Sequence, residues 1–379
     1  MDRGGKSMVQ VKDIMAVMEE FAPKHLAEHW DKTGLAIGNP ESTVKKILVA
    51  LDATKEVIAE AIEKKADMIL THHPMLLFQK MDSITADTPL GNKIYQLIQN
   101  DIAAFSAHTN LDIAKGGTND VLSALIGLQN VELLEITEKE VLQKIVVYVP
   151  VSHEQVVREA MCQAGAGHIG KYACCTFATK GTGTFLPLDD TNPYLGEKGK
   201  LEFAEEIRLE TIVPKQKTAV VIKAMCQAHP YEEVAFDIYT VEQTGKTEGI
   251  GRIGTLPEQI PFSTFAAILK QKLGLDSIRL TGNPHKMIKR VGLCTGSGAE
   301  FLSLAQKKGA DVYLTGDMKF HEAQKAVETG ICVADVTHYA SEVLVIPVLQ
   351  KMLQQKAEQH DWDLEVICSE VNGQTFWSL

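Results

Sequence analysis

Two stretches of this chain, 244 positions apart, carry the same order of apolar runs and amphipathic turns. Residues 47–51 (ILVAL) are apolar. Val57, Ile58, Ala61 and Ile62 then recur at helical spacing among charged residues, and 68–70 (MIL) is apolar again, which predicts strand, helix, strand. Without a gap, "ILVALDATKEVIAEAIEKKADMILT" (47–71) lies over "VGLCTGSGAEFLSLAQKKGADVYLT" (291–315), with Glu56, Ala61, Lys64, Ala66, Asp67, Leu70 and Thr71 matching Glu300, Ala305, Lys308, Ala310, Asp311, Leu314 and Thr315. A third apolar run closes each half, at 102–107 and 331–336. Units of this kind stack as parallel sheet with helices on the faces. The fold class expected is therefore α/β, built from duplicated strand-helix-strand units.

The middle of the chain follows a different rhythm. A strand at 144–150 is followed by an amphipathic helix at 153–165, on the spacing of Val156, Val157, Ala160 and Met161. Next come "CTFATKGTGTF", the polar loop "TNPYLGEKGK", the strand "EEIRLETIV", a helix over 218–228 and the strand "EEVAFDIYTV". That order, βαββαβ, is the ferredoxin-like split unit. It predicts an inserted domain at 130–250 and a discontinuous outer α/β domain made of 1–129 and 251–379.

At 379 residues the chain has room for two or three domains. The formal net charge of -11 argues against general nucleic-acid binding or an anionic membrane surface. No apolar run approaches the ~18 residues of a membrane span, and the first residues lack the apolar core of a signal peptide. Seven cysteines without a C-x-x-C spacing suit reduced thiols in the cytoplasm.

The predicted strands end in polar residues that ligate metals. His72, His73 and Pro74 follow the run at 68–71; His108 and Asp112 follow 102–107; His338 and Glu342 follow 331–336. Both halves thus place H-x-x-x-[D/E] just past a strand, where ligands bind in open α/β sheets. Residues four apart share a helical face, and Glu342 is expected in the first turn of a helix over 341–356. Four imidazoles and two carboxylates exceed one tetrahedral zinc site, but suit two adjacent metals with a bridging carboxylate. Read singly, each pair is also an ordinary polar loop; the convergence of three clusters favours metal. The mixed N/O set suits Zn, Mn, Fe(II) or Co, and two such ions imply metal-assisted hydrolysis.

Asp52 and Asp317 flank the rim, either orienting ligands from behind or serving as cap and turn residues. Thr295-Gly-Ser-Gly298 reads as a phosphate-binding turn or a plain tight one. "AHPYEE" (228–233) reads as a polar loop. His25, His29, His153 and His360 are expected to be solvated, His168 and His285 to lie in loops, and His321 to approach the rim.

Taken together, "EHWDKTGLAIG" (28–38), "LTHHP" (70–74), "HTNLD" (108–112), "TGD" (315–317) and "THYASE" (337–342) resemble the landmarks of the NIF-three-like family, also described as GTP cyclohydrolase 1 type 2 homologues. The insert, with "GTGTF" (181–185) and "AHPYEE", resembles the PII-like domain of a bacterial subset. The resemblance spans nearly the whole chain. It implies two divalent metal ions per chain, zinc first, held by His72, His73, Asp112, His338 and Glu342, with Glu342 as the bridge. His108 is a further ligand or the catalytic proton-transfer group. It also implies self-assembly into a toroidal homohexamer and a small-molecule or nucleotide-like substrate. The named reaction is opening of the GTP imidazole ring by metal-activated water with release of formate. The alternatives are a metal-binding regulatory ring whose insert senses a small effector, or a dimetal phosphoesterase or amidohydrolase.

Overall fold

The computed structural model describes residues 6–76 and 84–376 as a mixed α/β fold with several sheets. By internal contacts the chain divides into two compact units, one running up to Thr137 and resuming at Glu248, the other Glu138–Thr247.

In the first unit the strands Lys46–Ala50, Met68–Thr71 and Ala103–Ser106 lie side by side and parallel. Glu365–Cys368 extends this sheet in parallel beside Lys46–Ala50, and Gly34–Ile37 closes the other edge in antiparallel fashion. These strands are apolar on both faces, as a doubly covered parallel sheet requires. Val49 and Leu70 pack on one side with Ile14, Met18 and Leu349, while Leu48 and Ile69 pack on the other with Val57, Ile58 and Leu97. The helix Lys55–Glu63 begins where Thr54 Oγ1 accepts the Val57 amide at 3.2 Å, a side-chain cap that satisfies an orphan donor.

A second set of parallel strands, Met287–Leu293, Val312–Thr315 and Cys332–Asp335, has the same relative order. The shift of 244 residues also holds in three dimensions. The pairs Ile47↔Met68, Leu48↔Ile69 and Val49↔Leu70 map onto Val291↔Val312, Gly292↔Tyr313 and Leu293↔Leu314. The matched aspartates have one physical job. Asp67 Oδ2 accepts the amides of Lys45 and Lys46 at 2.7 and 2.9 Å, and Asp311 Oδ2 accepts those of Lys289 and Arg290, both at 2.8 Å. Each carboxylate thus anchors its neighbouring strand just before the parallel pairing begins, at Ile47 and at Val291, where backbone donors would otherwise be unpaired.

The second unit runs strand, helix, strand, strand, helix, strand. Its helices are Glu154–Gln163 and Thr218–Ala228, and its inner strands are Thr176–Phe185 and Glu202–Pro214. The outer strands are longer than the apolar runs predicted. Gln129–Pro150 and Phe236–Pro261 begin or end in the first unit and continue into the second, so the chain changes unit inside a strand on both passages. No Gly or Pro interrupts 129–149, so nothing marks a break there. On the return path Gly245 and Gly249 read as turn signals but lie within the strand.

Candidate metal centre

Each strand end in the first unit delivers one part of a donor cluster. His72 and His73 leave Met68–Thr71 directly, and the His73 amide donates to Leu51 O at 3.0 Å. Past Ala103–Ser106 the chain enters the five-residue helix Thr109–Ile113, which carries Asp112 in its first turn. Past Cys332–Asp335, His338 and Glu342 are the first and last residues of a second five-residue helix. The expected helix over 341–356 is therefore two elements, the next being Val345–Gln359. Glu342 ends a short helix instead of opening a long one, and it shares a face with His338 as the i,i+4 spacing requires.

The side chains converge. His72 Nε2 lies 3.6 Å from Asp112 Oδ1 and 3.7 Å from Glu342 Oε1. The Nε2 atoms of His73 and His338 are each 3.0 Å from Glu342 Oε2, and 3.2 Å from one another. Two triads share one carboxylate: His72, Asp112 and Glu342 form one, and His73, His338 and Glu342 the other. The two oxygens of Glu342 face different triads. His108 groups with His72 and His73. The adjacent histidines splay as expected, their rings 4.9 Å apart and inclined by 42°.

All four imidazoles are held the same way. Nδ1 of His72 meets Ala107 O at 2.8 Å, that of His73 meets Asp52 Oδ1 at 2.8 Å, that of His108 meets Asp31 Oδ1 at 3.0 Å, and that of His338 meets Asp317 Oδ2 at 2.8 Å. Carbonyl and carboxylate oxygens only accept, so every Nδ1 carries the hydrogen and every neutral ring leaves a lone pair on Nε2. Backing a histidine by carboxylate or carbonyl is how metal-ligating imidazoles are oriented. Asp52 and Asp317 thus sit behind rings of the donor cluster, not at caps. Asp31, behind His108, belongs to the "EHWDKTG" landmark. It also accepts the Thr109 amide at 3.0 Å, while Asn110 Oδ1 accepts the His108 amide at 2.9 Å and Asn110 Nδ2 donates to Ala22 O at 2.6 Å.

Electrostatics fit a cation. His72 Nε2 is buried without a hydrogen-bond partner among the described residues, an arrangement that costs free energy unless something else fills the gap. Burial disfavours the charged form of His73, but Asp52 and Glu342 outweigh it and lift its pKa to about 10. At His338 burial is likewise outweighed, by Glu342 and then Asp317, giving about 9. Burial, reinforced by Glu342, raises Asp112. For Glu342 burial is overcome by His72, His338 and His73, which hold the carboxyl well below its usual range.

The loop beside the cluster is a wall, not a phosphate cradle. The amides of Thr295, Gly296 and Gly298 donate to Asn119 Oδ1, Ser341 Oγ and Thr315 Oγ1 at 2.9–3.0 Å. Thr295 Oγ1 donates to Thr118 Oγ1, which itself donates to Asp112 Oδ1 at 2.6 Å. Gly296 has φ +66°, and a Cβ there would lie 2.2 Å from Glu342 Oε1. Asp317 and Thr337 have φ of 54° and 65°, values uncommon outside glycine. His321 is exposed on Phe320–Thr329 and belongs to none of the donor groups.

The pattern of a family described as Duf34/NIF3 (NGG1p interacting factor 3) matches residues 9–374. The chain belongs to that family. A Duf34/NIF3 relative from Bacillus subtilis (strain 168), named GTP cyclohydrolase 1 type 2 homolog, is 44% identical over 344 residues, covering 91% of this chain and 92% of its own. One of the same name from Staphylococcus aureus (strain MSSA476) is 33% identical over 368 residues, covering 97% and 99%. The crystal structure of a Bacillus cereus protein related to NIF3 matches with a TM-score of 0.89 at 41% identity, covering 98% of this chain and all of that one. No helix among the described residues of this Duf34/NIF3 chain is long and apolar enough to cross a membrane.

Proposed function

We propose that the chain is a dinuclear metal hydrolase of a small, nucleotide-like substrate, with opening of the GTP imidazole ring and release of formate as the named candidate reaction. The carrying observation is that three Nδ1-anchored imidazoles, those of His72, His73 and His338, turn Nε2 towards two carboxylates, one of which serves both triads, with His108 grouped beside His72 and His73. In this reading His72, Asp112 and Glu342 hold one divalent ion, and His73, His338 and Glu342 the other. Zinc is the first candidate, with Mn, Fe or Co also suited to mixed N/O donors. Such a pair supplies Lewis acidity and a water made acidic near neutral pH.

The chain's own residues do the rest. Asp52 and Asp317 fix the ring planes of His73 and His338. Asp31 is itself an ionised partner: its pKa falls to about 2 because hydrogen bonds from His108 and Thr109 outweigh burial. It keeps the His108 proton on Nδ1, so His108 Nε2 is the atom that accepts and returns a proton during turnover. We further assign the repeated strand-helix-strand units to a duplication, which the shared register and the two aspartate anchors support, and the second unit to an inserted PII-like domain, which its βαββαβ order supports. The family resemblance extends the proposal to a cytoplasmic homohexamer, and seven free cysteines suit a reducing compartment.

The cavity described below favours a second reading, a regulatory ring in which metal is structural. Elemental analysis and GTP turnover on one metal-loaded sample separate the two. Two metals per chain with one formate per GTP support the hydrolase; phosphate release instead would move it to a phosphoesterase, and two metals without turnover would favour the regulator. Glu342→Gln should leave the fold intact and drop metal well below two per chain; an unchanged stoichiometry removes the bridging role.

A further inference from the structure

The second unit contains a cavity of about 590 Å³, within the ~300–1,000 Å³ of small-molecule sites. Side-chain alternation along Glu202–Pro214 explains where it lies. Ile207, Leu209 and Val213 point to one face, where they pack with Val157, Met161, Val221 and Met225 of the two helices. Glu206 and Arg208 alternate onto the other face. Arg208 is paired with Thr179 on one side and Tyr148 on the other, and Glu206 with Gly181. Three sequence stretches that the metal centre does not use meet here: "GTGTF", the polar loop containing Tyr194, and "AHPYEE".

His229 is a brace for this wall, not a ligand. Its Nε2 hydrogen bonds to Tyr148 O at 3.0 Å, and its Nδ1 accepts the Tyr231 amide at 3.1 Å. Burial lowers its pKa, so the ring stays neutral with the proton on Nε2. The Asn192 amide donates to Glu232 Oε1 at 2.9 Å, tying the polar loop to the same turn.

The chemistry on offer is specific. Glu206 is only 8% exposed, and its carboxylate enters no ion pair among the described residues; the nearby Arg208 guanidinium is engaged by Glu210 at 2.9 Å. The Tyr231 hydroxyl is buried beside the Glu206 carboxylate. Burial first and Glu206 second raise the Tyr231 pKa, which keeps it a neutral phenol near that carboxylate. The Phe185 and Tyr194 rings have centroids 5.8 and 6.2 Å from that of Tyr231. A Cβ at Gly183 would lie 2.1 Å from Glu206 Oε2, so the bare strand leaves room for the carboxylate to lie across it. A buried carboxylate without a cation is costly. Its natural complement is a planar cation whose N–H groups pair with both oxygens and whose body rests against aromatic rings.

We propose that this cavity binds a small organic cation, an amidinium or guanidinium on an apolar or aromatic body, with Glu206 as counter-ion and the Tyr231 oxygen as second acceptor. The proposal does not depend on the metal centre. Titration calorimetry of the full chain with benzamidine, its neutral isostere benzamide, and benzoate tests it. Benzamidine should bind at least about tenfold tighter than benzamide, the order of one charge-assisted hydrogen bond, and benzoate should give no heat. Glu206→Gln should abolish that preference, Tyr231→Phe should weaken benzamidine while keeping it, and Glu342→Gln should leave binding unchanged. Equal affinity for benzamidine and benzamide, full benzamidine affinity in Glu206→Gln, or no benzamidine binding at millimolar concentration would each overturn the assignment.

Discussion

Replacing Gly296 by alanine asks whether Glu342 must stand where it does. The new Cβ would sit 2.2 Å from Glu342 Oε1 and 3.5 Å from His338 Nε2. Ordinary van der Waals contact with a carboxylate oxygen needs more than 3 Å, so the side chain would have to retreat by about 1 Å, against ligand distances that tolerate only ~0.2 Å. Glu342 is buried, and it is the one donor common to both triads. Disturbing a residue behind a ligand costs ~10–100-fold in metal affinity; displacing the shared ligand should cost at least ~100-fold, or about 2.8 kcal/mol. The alanine also enters left-handed backbone, at φ +66°, which by itself costs ~1–2 kcal/mol of stability. Gly330→Ala separates the two effects: Gly330 has φ +76° and open space where a Cβ would go. Denaturant unfolding of the metal-free proteins should show a similar loss for both variants. Elemental analysis after dialysis at limiting zinc should show two ions per chain in wild type and Gly330→Ala, and well under one in Gly296→Ala. If Gly296→Ala keeps its full metal content, Glu342 is not the shared ligand.

The carboxylates behind the rings make separate predictions. Asp52→Asn and Asp317→Asn should each weaken metal binding by about 10–100-fold, read by competition with a fluorescent chelator. Asp31→Asn should leave metal content at two per chain while lowering turnover if His108 moves the proton; loss of metal in this variant would make His108 a ligand instead. Metal uptake should release protons, because in the metal-free protein His73 and His338 titrate near 10 and 9. Both exceed the ~6.5 of a free imidazole, so both rings are charged at pH 7; His72 is raised as well, and calorimetry in buffers of different ionisation enthalpy should count at least two protons lost. The same shifts mean that their stabilisation of the metal-free fold is complete below about pH 6.5 and is lost as pH rises through 9 and 10. Its melting temperature should decline across that window, and a flat profile would contradict the charged cluster.

Much of the outer unit was legible because its physics is local. Apolar runs bounded by Gly, Pro or His mark buried strands, and His72, His73, His108 and His338 stand within a few residues of strand ends that hydrophobicity alone locates. Asp67 and Asp311 were visible as repeat matches, but their task, anchoring neighbouring strands by two amides each, emerges only in three dimensions. Asp31 carried no signal in spacing, since it lies in a loop and reaches His108 from 77 positions away; only its place in the "EHWDKTG" landmark pointed to it. The helix boundary before Val345 was missed because apolar spacing continues across 343–346 without a Gly or Pro. The long strands at 129–150 and 236–261 were missed for related reasons: the first has no breaker to end it, and the second contains glycines that elsewhere mean a turn.

The order in which the proposed ligands occur along the chain has a consequence for biosynthesis if the centre binds metal as proposed. His72, His73, His108 and Asp112 leave the ribosome well before Glu342, with the whole second unit translated in between. Asp112 precedes His338 by 226 positions (338 − 112), an interval of about 10–45 s at ~5–20 residues per second. Throughout that time the nascent chain displays three imidazoles and one carboxylate without the shared carboxylate that completes either triad. The finished centre can be assembled only after the last quarter of the polypeptide has folded back onto the first, so correct metal loading belongs to the mature chain, and a ribosome stalled within the second unit leaves behind a half-site open to the wrong ion.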